Sequence, residues 1–124
     1  MPLVCLVLAA GCGGSGTLTE KQLQKDMETV QSAAVEGELL ASDIARDRTS
    51  EPFARIHSGV LAEQAQGVAR TLMKGQASRE LESRRRQAAS QARAVSSALE
   101  ELHGSPGDRV VARRVLRELE DLSS

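Results

Sequence analysis

Few side chains in this chain could do chemistry. Its only thiols are Cys5 and Cys12, and both stand in the first twelve residues. A thiol nucleophile, a Cys-based metal site and a disulfide scaffold are therefore excluded from the rest. The only histidines are His57 and His103. Glu100-Glu101-Leu102-His103 holds one Glu-x-x-His, which sets a carboxylate and an imidazole on one side of a helix. Carboxylate-bridged di-iron bundles need two such motifs and two further glutamates on other helices. Here there is one, beside Gly104, where His103 reads as a cation favoured by a helix C-terminus. His57 has no cysteine to activate, and the sequence sets no Asp or Glu beside it. We expect no catalytic residue, no metal and no cofactor, and hence not an enzyme.

Basic residues form the other pattern. Arg84-Arg85-Arg86 is a compact run, and Arg79 and Arg93 each stand seven residues from Arg86. Arg79, Arg86 and Arg93 thus share one stripe of a helix. Such a stripe attracts anionic lipid or polymer. The plainer reading is a solvated face offset by Glu80 and Glu82 at helical distance. Arg85 falls on an apolar face and has to snorkel or pair with an acid.

Composition narrows the class. The 124 residues suit one domain, and the net charge is −1. Phe53 is the only aromatic residue, so stacking platforms for bases or sugars are absent and nucleic acid is not expected as a partner. Residues 20–62 hold five basic and eight acidic side chains, a balance of −3. Residues 63–124 hold eleven and nine, a balance of +2. Complementarity between two halves of one fold explains that asymmetry most simply.

The first eleven residues, MPLVCLVLAAG, carry no charged side chain. They are too short to span a bilayer but fit the apolar region of a signal peptide. Leu8-Ala9-Ala10-Gly11-Cys12 follows, and then Gly13-Gly14-Ser15-Gly16. In these residues the chain resembles the bacterial lipoprotein class, whose leaders end in a lipobox of an apolar residue, two small ones and cysteine. The usual leucine of that box is here Ala9, with Leu8 one place further back. The resemblance implies cleavage between Gly11 and Cys12 and a diacylglyceryl group on the Cys12 sulfur. It implies an extracytoplasmic protein of the cell envelope, held on a bacterial membrane through that lipid. A plain secretory leader and a cytosolic chain with an apolar first element are the alternatives. The Gly/Ser run is a flexible coil, as a tether between lipid and fold should be. The expected organisation is a signal peptide at 1–11, a lipidated cysteine and tether at 12–18, and a helical domain at 19–124.

The elements that must position everything else are helices. Thr17 with Glu20, or Thr19 with Gln22, makes a capping box. Leu23, Met27, Val30, Ala34, Gly37, Ala41 and Ile44 then recur at gaps alternating 4 and 3, which marks a helix–helix seam. Pro52 opens a second helix, to about Met73, with Phe53, Ile56 and Val60 leading its inner face and Leu61, Ala65, Val68 and Leu72 continuing it. After a turn at Lys74-Gly75-Gln76-Ala77, Ser78 can cap a third helix. Its seam is Leu81, Arg85, Ala88, Ala92, Val95, Leu99 and Leu102, with the same 4–3 spacing. Gly104-Ser105-Pro106-Gly107 ends it. A short fourth helix, about Asp108 to Leu122, carries Val111, Val115, Leu119 and Leu122 on one face.

The fold class is therefore all-α, an antiparallel up-and-down bundle of four helices with coiled-coil-like seams; three helices and a loose fourth are the runner-up. Two functions fit it. One is an interaction or structural module with an envelope protein as partner, or a homo-oligomer. The other is a module that holds a small apolar or anionic ligand between helices, around Ala34, Gly37, Ala88 and Ala92.

Overall fold

A computed structural model describes residues 17–124. Cys5, Cys12, the expected leader at 1–11 and most of the tether lie outside the described residues. Four helices follow in order: α1 (Glu20–Ala45), α2 (Glu51–Lys74), α3 (Arg79–Gly104) and α4 (Arg109–Ser123). α1 packs on α2 and α4, α3 packs on the same two, and α1 meets α3 across the core. This is the up-and-down four-helix bundle. Two short strands, β1 (Thr17–Leu18) and β2 (Gln76–Ala77), add a parallel pair in which Thr17 faces Gln76 and Leu18 faces Ala77. Thr17 and Leu18 were expected in the flexible tether. Instead Leu18 is half-buried and packs on a small cluster of Leu23, Leu72, Ala88 and Ala89. The entering chain is thus tied to the α2–α3 turn.

Three of the four helices start on a side-chain cap. The Thr19 hydroxyl accepts from Gln22 N–H at 3.1 Å, which is one half of the second capping box expected; the Gln22 side chain turns to Asp26 instead of back to Thr19. Ser50 caps α2 through Phe53 N–H, with Pro52 in the first turn. Asp108 accepts from Val110 and Val111 N–H at 2.9 and 3.2 Å. Ser78 holds the cap position of α3 without a side-chain bond.

α1 ends in a Schellman turn. Arg48 N–H donates to Asp43 O at 2.8 Å and Asp47 N–H to Ile44 O at 3.1 Å. Asp47 takes the left-handed position, φ 57°, where glycine is strain-free. Asp47→Gly is therefore expected to stabilise the fold by about 0.5–1 kcal/mol, a rise in Tm of a few degrees. It gives up only an exposed ion pair to Arg109. A thermal melt that showed a lower Tm would contradict this account of the turn.

The main core runs the length of α4. Val30, Ala33, Ala34, Leu40, Ala41 and Ile44 of α1 meet Val95, Leu99 and Leu102 of α3 and Ala112, Val115 and Leu119 of α4. Gly37 sits where three helices converge. A Cβ there would lie 2.6 Å from Leu99 Cδ2 and 2.9 Å from Leu119 Cδ1. α4 is shorter than its neighbours, and its last carbonyls are taken by side chains of both. Gln31 Nε2 donates to Ser123 O at 3.0 Å, and Gln91 Nε2 to Leu122 O at 2.7 Å.

Two expectations about the core need correction. Met27 is 40% exposed rather than buried. It lies one turn before Gln31, on the side of α1 that α4 would cover had it not already ended. Asp26 takes the inward place beside it, with one carboxylate oxygen held by Gln22 Nε2 at 3.0 Å. Phe53, Ile56 and Val60 do not lead the inner face of α2. That face is Ala54, Ser58, Leu61, Ala62, Ala65, Ala69 and Leu72. Its small residues let α2 lie close to both neighbours, and the Ser58 hydroxyl is satisfied within the helix by Ala54 O at 2.6 Å.

Candidate functional site

The consequence of that close packing is an apolar ridge left outside. Phe53, Ile56 and Val60 are 56%, 69% and 46% exposed, on the side of α2 turned away from the core. Their gaps of 3 and 4 put them in one line along the helix. A groove runs on each side. On the α1 side Leu39, itself 64% exposed, Leu40, Phe53 and His57 line it together with Glu36 and Asp43. The His57 ring stacks on Phe53, with centroids 5.4 Å apart. On the α3 side Ile56, Gly59 and Val60 share a groove with Glu63, Glu100 and His103. The ridge thus stands between two pairs of carboxylates.

His103 is fixed by α2. Its Nδ1 lies 2.7 Å from Arg55 O, and since a carbonyl only accepts, that nitrogen carries the proton. Gly59 makes room for the ring, because a Cβ there would come 3.1 Å from His103 Cε1. The imidazole ties the end of α3 to the backbone of α2. His57 and His103 line different grooves, so the chain's two imidazoles do not converge. Among the described residues, no three His, Cys, Asp or Glu side chains gather as metal ligands would.

The α3-side groove continues toward the end where the chain enters, and its character changes on the way. Gln66 and Glu100 lead into a stretch bordered by Arg70, Met73, Arg93 and Ser97. The last stretch is bordered by Arg85, Arg86, Ser90 and Arg93. Arg86 and Arg93 of the expected stripe line this groove, and Arg70 joins them from α2. The α2–α3 register that brings Arg70 to the stripe was not legible from α3 alone.

Arg85 both pairs with an acid and serves the fold. Its Nη2 and Nε donate to Glu82 at 2.5 and 3.0 Å, and its Nη1 donates to Leu72 O at 2.6 Å. Leu72 O belongs to the last turn of α2, where helical carbonyls lack partners and a cation is favoured. Arg86 Nε adds a bond to Glu82 at 3.1 Å. The hydrogen bonds and charge of Arg85, helped by Arg86, lower the Glu82 carboxyl from its ordinary 4.5 to about 2. A depressed folded pKa means stability that is present above about pH 4.5 and lost as pH falls toward about 2. Urea midpoints measured across that window should fall for the native chain, and fall less for Glu82→Gln. Identical pH profiles would remove Glu82 from the account.

The small-residue seam is filled rather than open. Ala34, Ala88 and Ala92 are buried, and Gly37 is covered by Leu99 and Leu119. The space expected there for a ligand between helices is occupied by side chains. Among the described residues, no helix is long and apolar enough to cross a membrane. Comparison with known proteins gives no match: no family model, curated protein or solved structure is significantly similar to the chain.

Proposed function

We propose that the chain is a lipoprotein of a bacterial cell envelope, with the lipid on Cys12 and a non-enzymatic bundle that binds another protein through the α2 ridge. The anchor half rests on Leu8-Ala9-Ala10-Gly11-Cys12 and the Gly/Ser run behind it. The interaction half rests on one observation, the apolar line of Phe53, Ile56 and Val60 with Leu39 beside it, left exposed along the outer side of α2. An exposed apolar line rimmed by polar groups is the usual mark of a contact surface. Its rim of Glu36, Asp43, Glu63 and Glu100 favours a partner helix that is apolar along one face and cationic on its flanks. A second copy of the same ridge would set carboxylates against carboxylates, which argues for a different protein.

Site-specific photocrosslinking in the producing cell tests the interaction. A photoreactive residue at Val60 should give a discrete adduct with another protein. The same residue at the exposed Glu120 should not. Equal adducts at both positions, or an adduct of two copies of this chain alone, would contradict the proposal.

A further inference from the structure

One side of the bundle carries a line of cations that the protein-binding ridge does not use. Arg70 and Lys74 come from α2, and Arg79, Arg86 and Arg93 from α3. Arg79 to Arg93 covers about 21 Å of helix. Among the described residues, Arg70, Lys74, Arg79 and Arg93 form no salt bridge, and Glu82 is already shared by Arg85 and Arg86. Between the arginines the groove offers the hydroxyls of Ser90 and Ser97, and the half-exposed Met73. Guanidinium forks and hydroxyls suit phosphate oxygens, and an exposed methionine suits the boundary below them.

Position favours a bilayer as the source of the phosphate. Thr17 pairs with Gln76, two residues after Lys74, so the chain enters the fold beside this line of cations. Only residues 13–16 separate Cys12 from Thr17, a reach of roughly 18 Å when extended. A lipid on Cys12 would hold this end of the bundle at the bilayer surface. A bundle lying along the bilayer on this side would bring the whole line from Arg79 to Arg93 to the headgroups, with Asp47 and Asp108 at its far end. We propose that the Arg70–Arg86–Arg93 face binds the phosphodiester headgroups of an anionic bilayer. Its orientation rests on the proposed lipidation of Cys12; its charge does not.

The test therefore uses the full chain with Cys12→Ser, which carries no lipid. It is sedimented with vesicles of phosphatidylcholine plus phosphatidylglycerol, and with phosphatidylcholine alone. Each basic side chain at an anionic surface is worth about fivefold in binding, so a preference of tenfold or more for the anionic vesicles is expected. High salt should weaken it. Arg70→Gln/Arg86→Gln/Arg93→Gln should abolish the preference. Arg46→Gln/Arg48→Gln/Arg113→Gln, with the same charge change at the far end, should keep it. Equal binding to both vesicles would overturn the proposal, as would equal loss in the two triple variants. Release by inorganic phosphate at matched phosphate concentration would also overturn it, because the groove would then be a site for the free anion. Because the protein tested is unlipidated, none of these results bears on whether Cys12 is modified.

Discussion

Leu99→Ala is expected to destabilise the bundle by about 3 kcal/mol, within a range of roughly 2–5. The Leu99 side chain is fully buried where α1, α3 and α4 meet. Its Cδ2 fills the space that the missing side chain of Gly37 leaves, so truncation opens a cavity at the crossing of three helices. In a domain of this size, the loss corresponds to a fall in Tm of roughly 15 °C. The same geometry predicts coupling. Gly37→Ala gains about 1 kcal/mol of helix propensity but drives its methyl into Leu99 and Leu119, which themselves have nowhere to go. In the Leu99→Ala background one of those clashes is gone, so Gly37→Ala should cost less there than in the native chain. Strictly additive thermal shifts in the two single and one double variants would show that Gly37 is not where α1 meets α3.

Ile56→Asp is expected to behave in the opposite way. Ile56 is 69% exposed, so its replacement should move stability by no more than about 0.5 kcal/mol. As the centre of the proposed contact, however, it should weaken partner binding by about 2 kcal/mol or more, a loss of roughly thirtyfold. The buried Leu61, on the same helix but facing the core, provides the contrast. Leu61→Ala should lower Tm by many degrees, and should affect crosslinking only through unfolding. The informative pair of readings is the melt of Ile56→Asp and the yield of the Val60 adduct. A native melt with the adduct lost supports the ridge. A native melt with an undiminished adduct would show that the partner binds elsewhere.

Much of the fold could be read in advance, and the exceptions have physical reasons. The seam of α3 follows directly from residues such as Val95 and Leu99, because the 4–3 spacing had no competitor there; on α4 Val115 and Leu119 are buried as expected, but Ala112 is fully buried where Val111 is only partly so. α2 did have one. Phe53, Ile56 and Val60 form a bulkier stripe, but it stops at Glu63. Ala54, Ser58, Leu61, Ala65, Val68 and Leu72 keep the 4–3 spacing through the whole helix. Continuity, rather than size, marked the buried face, and small residues won because they allow close approach. Met27 keeps the seam spacing yet is exposed, because the end point of α4 decides what covers α1, and that is a tertiary property. The ridge is not legible from α2 alone, because its bulkiest apolar residues are the ones left outside. The Arg79, Arg86 and Arg93 stripe could be read from one helix. Its extension by Arg70, and the capping of Leu72 O by Arg85, depend on how α2 and α3 align.

The central claim is that this bundle hangs from a lipid on Cys12, and metabolic labelling tests it most directly. Cells producing the full chain or Cys12→Ser are fed a labelled fatty acid, and the purified proteins are compared. The account predicts label and membrane association in the native chain, with mass spectrometry placing a diacylglyceryl group on an N-terminal Cys12, and no label in Cys12→Ser. Equal labelling and equal membrane association of the two chains would contradict it.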